Sequence, residues 1–313
     1  MNIQKILIIG GTSFFGKSII EYLLKKKLKK KIKLIIFSRK AKNLKINKKI
    51  NNNLLIQKIN GDILTTKTLP KSDLVIYCSL LKNLKKDRKA VVNFSLIAKN
   101  IYYNSKILYI SSGAIYGPLP KNIKKVKENF NKNKEFKSSH YKKDYSNAKI
   151  INEKKFQELG KLGFKVSIAR CFSFIGIHLL NKSKHAVSEF INNIIKDKAI
   201  NIKSNYKVAR SYMHADDLTN CLFKILNKSN VKCPTYNCGS DNFIYLDKLA
   251  RLLSSKYNLK FNKPKFSVNY IDQYVPNINK FRNDFKFYKR LNSFNAVVKT
   301  INQIQKKKIN YFL

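Results

Sequence analysis

Three short stretches of this 313-residue chain combine residue types that can do chemistry. Tyr145-Ser146-Asn147-Ala148-Lys149 sets a phenol and an amine four residues apart, a spacing that a helix turns onto one face. A phenol near pKa ~10 is a poor base at neutral pH, but an ammonium beside it favours phenolate and lowers that value. The pair can then move a proton to or from a hydroxyl. Ser111-Ser112-Gly113-Ala114-Ile115-Tyr116-Gly117 follows directly on the apolar run Ile107-Leu108-Tyr109-Ile110. This sets Ser112 at the strand end where open α/β sheets keep their ligands, able to hold the oxygen that Tyr145 serves. The third stretch is Gly10-Gly11-Thr12-Ser13-Phe14-Phe15-Gly16. A glycine turn between a first strand and a first helix lets backbone approach a pyrophosphate, and the helix N-terminus favours its negative charge.

Each stretch is weak alone. Tyr-x-x-x-Lys arises by chance in a chain rich in both residues, and tight turns recruit glycine everywhere. Their positions on regular elements give them weight. Lys5-Ile6-Leu7-Ile8-Ile9 has strand length, Ser18 to Leu24 has helical spacing, and Lys33-Leu34-Ile35-Ile36-Phe37 is a second strand. Similar runs recur at Leu74–Tyr77, Ile107–Ile110 and Val166–Ala169, with helix-like segments at about 88–103 and 146–160. Unbroken apolar runs interleaved with helices predict an α/β fold with a doubly wound parallel sheet. The polar stretch 121–140 is predicted as a surface loop. Beyond residue 172 the pattern loosens into a helix over 185–196, an extended run at Ile200–Ile202, a helix from Arg210–Leu218 to about Leu226, a strand ending in a turn at Tyr236–Ser240, and a helix over Leu246–Lys256.

Composition excludes several classes. The 65 Lys+Arg against 17 Asp+Glu leave a formal charge of +48, about +0.15 per residue. A chain so basic suggests nucleic acid, but the lysines are spread over the whole length with one dense run, Lys25–Lys31, and rise together with Asn and Ile. That pattern is compositional drift, so no nucleic-acid partner is expected. No apolar run approaches the ~18–20 residues of a membrane span, and Ile6–Ile9 is too short for a signal-peptide core. No membrane association and a cytoplasmic location are expected. The five cysteines, Cys78, Cys171, Cys221, Cys233 and Cys238, are odd in number and lack paired metal spacing. They read as buried thiols, with no metal site.

In these motifs the chain resembles the extended short-chain dehydrogenase/reductases, the NAD-dependent epimerase/dehydratase family that modifies nucleotide sugars. The resemblance spans nearly the whole sequence: Ile9–Gly16, Gly61-Asp62-Ile63, Asp73–Tyr77, Ser112–Gly117, Tyr145–Lys149 with Glu153, Ala169–Gly176, Arg210–Leu218 and Tyr236–Ser240. It implies a Rossmann-type domain of residues 1–172 plus about 208–232, and a smaller interleaved substrate-binding lobe of about 173–207 plus 233–313. It also implies a homodimer that packs through the helices near 88–103 and 146–160. Ser112, Tyr145 and Lys149 correspond to the catalytic set. Gly10, Ser13, Phe14, Phe15, Gly16, Asp62, Ile63 and Lys149 correspond to cofactor contacts, and Ser173 and Arg210 to substrate contacts. Two departures stand out: Ile9 and Ser13 replace a threonine and a glycine of the family's turn, and Ser173 replaces an asparagine.

Relatives that are 4,6-dehydratases carry an aspartate and a glutamate directly after the catalytic Ser/Thr, which serve proton removal and hydroxyl expulsion. This chain has Gly113-Ala114 there, and neither can shuttle a proton. The expected reaction is therefore hydride transfer at a sugar carbon, C4 by resemblance: epimerisation, or reduction of a 4-keto sugar. The alternatives are a dehydratase or a non-catalytic nucleotide- or RNA-binding member of the fold. At the end of the second strand an acid suits NAD and a base suits NADP; Ser38-Arg39 leans toward NADP.

Overall fold

The computed structural model describes residues 3–46, 51–120, 123–130, 140–179, 185–268, 270–286 and 291–311. The chain divides into two compact units that interleave in sequence. The first comprises Met1–Ile115, Lys137–Arg170 and Thr219–Tyr236, the second Tyr116–Phe136, Cys171–Leu218 and Asn237–Leu313.

The first unit is built on strands β1 (Gln4–Ile9), β2 (Ile32–Ser38), β3 (Leu54–Asn60), β4 (Leu74–Tyr77), β5 (Lys106–Ser112) and β6 (Lys165–Cys171). With the strand Thr235–Cys238 they form one seven-stranded parallel sheet, ordered Thr235–Cys238, β6, β5, β4, β1, β2, β3. The chain leaves β1 toward β2 and β3 on one side and returns to β4 on the other, so the order reverses between β1 and β4. Ligands of such sheets bind at that switch point. The central strands are unbroken apolar runs because both faces are covered; Leu7, Ile8, Ile9, Val75, Ile76 and Tyr77 are fully buried.

Helix α1 (Phe14–Lys25) follows β1 through the glycine turn. Helices α2 (Leu84–Ile101) and α3 (His140–Lys161) pack together, and α3 lies on β5. Asn83 caps α2 by accepting from the Lys86 amide at 3.0 Å. The α2 stripe Ala90, Val91, Phe94, Ile97 and Ala98 is buried at helical spacing. Under it lies an aromatic cluster: Tyr109 stacks on Phe156 at 4.3 Å between ring centroids, and Tyr77 meets Phe94 at 5.0 Å.

The second unit has its own core. Helices α4 (Ala186–Ile195), α6 (Leu246–Lys256) and α8 (Ser293–Tyr311) bury Val187, Ile191, Leu249, Leu253, Val297 and Ile301 together. Helix α5 (Ala215–Asn227) runs across the division between the units, and α7 (Asn279–Phe285) is short. A three-stranded sheet pairs Lys207–Arg210 with Ile271–Tyr274 in parallel and with Ile244–Tyr245 antiparallel.

The five strands read from sequence are all present, and the elements expected near 88–103, 146–160, 185–196 and Leu246–Lys256 are helices within a few residues of those bounds. The strand Leu54–Asn60 and the helix Ser293–Tyr311 were not anticipated. Of the loop expected over 121–140, residues 121–122 and 131–139 lie outside the described residues; helix α3 begins at His140. All five cysteines are buried and free, as expected. No helix among the described residues is long and apolar enough to cross a membrane.

Candidate active site

The glycine turn is shaped by two close approaches. Gly10 has φ +89°, and a Cβ there would lie 2.6 Å from the Ser79 backbone nitrogen, so the position requires glycine. A Cβ on Gly16 would lie 2.4 Å from the Gly11 Cα, so glycine lets the first turn of α1 rest on the turn before it. Ser13, where the family usually has glycine, caps α1: its Oγ accepts from the Gly16 amide at 3.2 Å. It also donates to the Cys78 sulfur at 3.6 Å. Burial pushes the Cys78 thiol up to about 12, so this cysteine is an inert apolar wall of the turn. Phe14 and Phe15, half-buried, meet edge to face at 5.4 Å.

The other cofactor candidates lie in the same unit. Ser38, at the end of β2, is 8% exposed, and its Oγ has no hydrogen-bond partner among the described residues. A buried hydroxyl left unpaired is costly unless something else supplies its partner. Arg39 beside it is exposed. Asp62 is half-buried and accepts from the Leu64 amide at 3.0 Å. Ile63 is buried in the sheet core, so its side chain faces the interior. The close-approach glycines, the α1 N-terminus and the orphaned Ser38 hydroxyl fit an adenine dinucleotide, the turn facing phosphate and Ser38 a ribose hydroxyl.

On β5 the two serines part company, because successive side chains of a strand point to opposite faces. Ser111 is 3% exposed and donates to Glu153 Oε1 at 2.5 Å. Glu153 is held from its other side by Arg170, whose Nη2 donates to Oε2 at 2.8 Å and whose Nε donates to Oε1 at 3.1 Å. Ser112, half-buried, points the other way and accepts from the Ala114 amide at 3.1 Å. Of the two, Ser111 is committed to the buried carboxylate and Ser112 is not.

Tyr145 and Lys149 lie one turn apart on α3, as the spacing predicts; Tyr145 is half-buried and Lys149 is 4% exposed. The Lys149 ammonium donates to the Tyr109 hydroxyl at 3.1 Å and to the Ile110 carbonyl at 3.5 Å. Burial pulls its pKa down, but Tyr109, Tyr145 and Asp87 outweigh that, and the net shift is upward. Lys149 is an ammonium at neutral pH. Sequence reasoning did not single out Tyr109, which shares a face of β5 with Ser111 and lies 40 residues from Lys149. The period-2 register of β5 was the one available signal.

Ser173 and Arg210 belong to the second unit. Ser173 is half-buried, and its carbonyl accepts from the Met213 amide at 3.1 Å. Arg210, the expected phosphate contact, is ion-paired with Asp272: Nη2 to Oδ2 is 2.6 Å, and Nη1 donates to the Ala209 and Asp272 carbonyls. Asp272 gave no sequence signal, since it meets Arg210 only because Ile271–Tyr274 pairs beside Lys207–Arg210. No group of acids, histidines and cysteines suited to a metal ion occurs among the described residues.

A seven-stranded parallel sheet with a glycine turn after β1 and a Ser/Tyr/Lys set on β5 and α3 defines the short-chain dehydrogenase/reductase fold. The chain belongs to the NAD-dependent epimerase/dehydratase family, whose model matches residues 6–239. Among curated proteins it is similar to a dTDP-D-glucose 4,6-dehydratase of Dictyostelium discoideum, 26% identical over 269 residues, with 76% of this chain and 59% of that protein covered. It is also similar to the bifunctional polymyxin resistance protein ArnA of Wigglesworthia glossinidia brevipalpis, 25% identical, with 100% of this chain and 52% of that protein covered. The chain thus spans between half and three-fifths of the length of these relatives. Among solved structures, the fold matches dTDP-glucose 4,6-dehydratase of Bacillus anthracis in complex with NAD (TM-score 0.77, 16% identity, 97% of each chain). It also matches a UDP-glucuronic acid 4-epimerase of Bacillus cereus (TM-score 0.75, 17% identity, 97% of this chain and 99% of that one).

Proposed function

We propose that this chain is a nucleotide-sugar epimerase or 4-keto-sugar reductase that works by hydride transfer at a sugar carbon, C4, with Tyr145 as the acid/base. The observation that carries the reading is the Tyr145/Lys149 pair on α3 beside the outward serine of β5, followed by Gly113 and Ala114 in place of acids. When bound, a nicotinamide cofactor supplies the hydride acceptor and donor. Gly10, Ser13 and Gly16 would hold its pyrophosphate, Ser38 a ribose hydroxyl, and Lys149 the ribose nearer the reaction. Tyr145 takes the hydroxyl proton as the carbinol carbon gives up its hydride and becomes a ketone. In the reverse step Tyr145 returns the proton to the oxygen. Ser112 donates to the same oxygen and keeps it in reach. Arg210 would exchange Asp272 for the substrate diphosphate, which a guanidinium can grip with two donors.

A dehydratase is the second reading, favoured by the names of two relatives. It needs an acid/base for the C5 proton and another for the C6 hydroxyl, and Gly113-Ala114 offers neither. For the cofactor, NAD follows from the family, while exposed Arg39 beside Ser38 favours acceptance of a 2′-phosphate. A homodimer through α2 and α3 is supported by Val92 and Leu96, which are 42% and 56% exposed one turn apart, and by Ile151 on α3 at 37%.

The test is a thermal-shift screen of nucleotide sugars with NAD and NADP compared, followed by product analysis of those that bind. Ligand stabilisation grows as RT ln(1+[L]/Kd), so modest binders register. An epimer or a reduced 4-hydroxy sugar supports the proposal; a 4-keto-6-deoxy product establishes the dehydratase.

A further inference from the structure

Lys149 poses an electrostatic problem that its direct contacts do not solve. A buried ammonium needs a counter-charge, yet its two hydrogen-bond acceptors, the Tyr109 hydroxyl and the Ile110 carbonyl, are neutral. The other titratable groups around it come from every element packed there: Tyr145 on its own helix, Tyr109 on β5, Tyr77 on β4, Cys78 just beyond β4, and Asp87 in the first turn of α2. Burial pushes Tyr109 and Cys78 each up to about 12 and raises Tyr77 well above its ordinary value. Asp87 is the carboxylate among them; the other buried carboxylate nearby, Glu153 one turn along α3, is already paired with Arg170.

Asp87 is 1% exposed, and among the described residues no ion pair joins it to Lys149. Its Oδ1 accepts from the Leu81 amide at 2.8 Å, and its Oδ2 accepts from Asn152 Nδ2 at 2.9 Å. Asn152, 1% exposed, sits three residues beyond Lys149 on the same face of α3, and its amide favours ionisation of the Tyr109 hydroxyl. Tyr109 in turn accepts from Lys149. Hydrogen bonds thus join Asp87 to Asn152 and Lys149 to Tyr109, and Asn152 and Lys149 lie three residues apart on α3, in the buried space between α2, α3 and β5.

We propose that Asp87 is the counter-charge that keeps Lys149 an ammonium, acting across Asn152 and Tyr109, and that it is thereby a positioning residue for the Tyr145 acid/base. The functional half of this statement rests on the reading of Tyr145 and Lys149 given above. An amide cannot relay a proton, so the arrangement carries charge stabilisation and geometry and no proton. The spacer has a use. A carboxylate in direct contact would engage the ammonium as Glu153 engages Arg170. Set back by two side chains, Asp87 balances the charge while Lys149 spends only two of its three N–H groups on the described residues.

The test needs no turnover. In full-length protein carrying 13Cε-lysine, the Lys149 signal is identified by its loss in Lys149→Met and followed with pH. Asp87→Asn keeps the shape and loses the charge. The acid constant of Lys149 should rise at least tenfold, bringing its titration to lower pH, and Asp87→Asn/Asn152→Asp, which moves the carboxylate one link along, should restore it. A Lys149 titration that ignores Asp87→Asn overturns the proposal. If Asp87→Asn does not fold, the reciprocal experiment decides: in 13Cγ-aspartate protein, Lys149→Met must move the Asp87 titration at least tenfold toward higher pH, and an unmoved midpoint refutes the coupling. Once a substrate is in hand, the rising limb of kcat against pH should also move to higher pH in Asp87→Asn. Failure of the catalytic reading would show elsewhere, as turnover unaffected by loss of the Tyr145 hydroxyl.

Discussion

Helix α3 carries two buried charges one turn apart, and they are treated in opposite ways. Glu153 is closed: Arg170 grips both its oxygens, Ser111 donates to one of them, and the side chains are only 5% and 13% exposed. Lys149 is open: its contacts are a phenol and a carbonyl, and the carboxylate that balances it stands off behind Asn152. A buried carboxylate gripped at both oxygens has little capacity left for a ligand. It ties α3 to β5 and β6. An ammonium without a contacting anion is costly to keep, and under the proposed function it stays available to a ligand beside Tyr145. The same division falls on adjacent serines, Ser111 inward to the closed pair and Ser112 outward.

Substitutions at matched positions should separate the two charges. Lys149→Met should lower turnover about 10²–10⁴-fold, the range for loss of positioned acid/base function, with a smaller fall in the urea midpoint than Glu153→Gln, because Asp87 keeps its Leu81 and Asn152 donors. Glu153→Gln should do the reverse. Breaking a buried pair from one side costs about 3–5 kcal/mol, read as a lower urea midpoint, while turnover per folded molecule holds. The serines repeat the contrast at smaller scale. Ser111→Ala should cost about 1–3 kcal/mol of stability by depriving a buried carboxylate of a donor. Ser112→Ala should leave stability within about 0.5 kcal/mol and reduce turnover about tenfold or more, ~1.4 kcal/mol in the barrier. Smallest of all, Ser38→Ala removes a hydroxyl with no partner among the described residues. It should leave stability unchanged and weaken dinucleotide binding about 2–10-fold by calorimetry, the worth of one neutral hydrogen bond.

The open charge was half legible in the sequence. The i,i+4 spacing of Tyr145 and Lys149 follows from helical geometry, and a strand-end serine follows from an apolar run. Asp87 and Tyr109 were not legible, because they meet α3 across 65 and 40 residues of chain respectively, and only tertiary packing joins them. The fold shows the same limit. Buried central strands announced themselves as apolar runs, whereas in β3 at the sheet edge only Leu54 is buried and Gln57 and Lys58 interrupt the apolar residues. Helix α8 was hidden for a related reason: its stripe of Ala296, Val297 and Ile301 is short and is diluted by lysines, asparagines and glutamines. Arg210 shows the same limit from the other side: a motif singled out the residue, and the fold supplied a partner, Asp272, that the motif does not contain.

The central claim is that the Tyr145 hydroxyl moves the proton. Tyr145→Phe removes that oxygen and leaves the ring, so calorimetry of nucleotide-sugar and dinucleotide binding should match the parent protein while turnover falls about 10²–10⁴-fold. Retained binding with collapsed turnover is the predicted result; turnover equal to the parent's would contradict it.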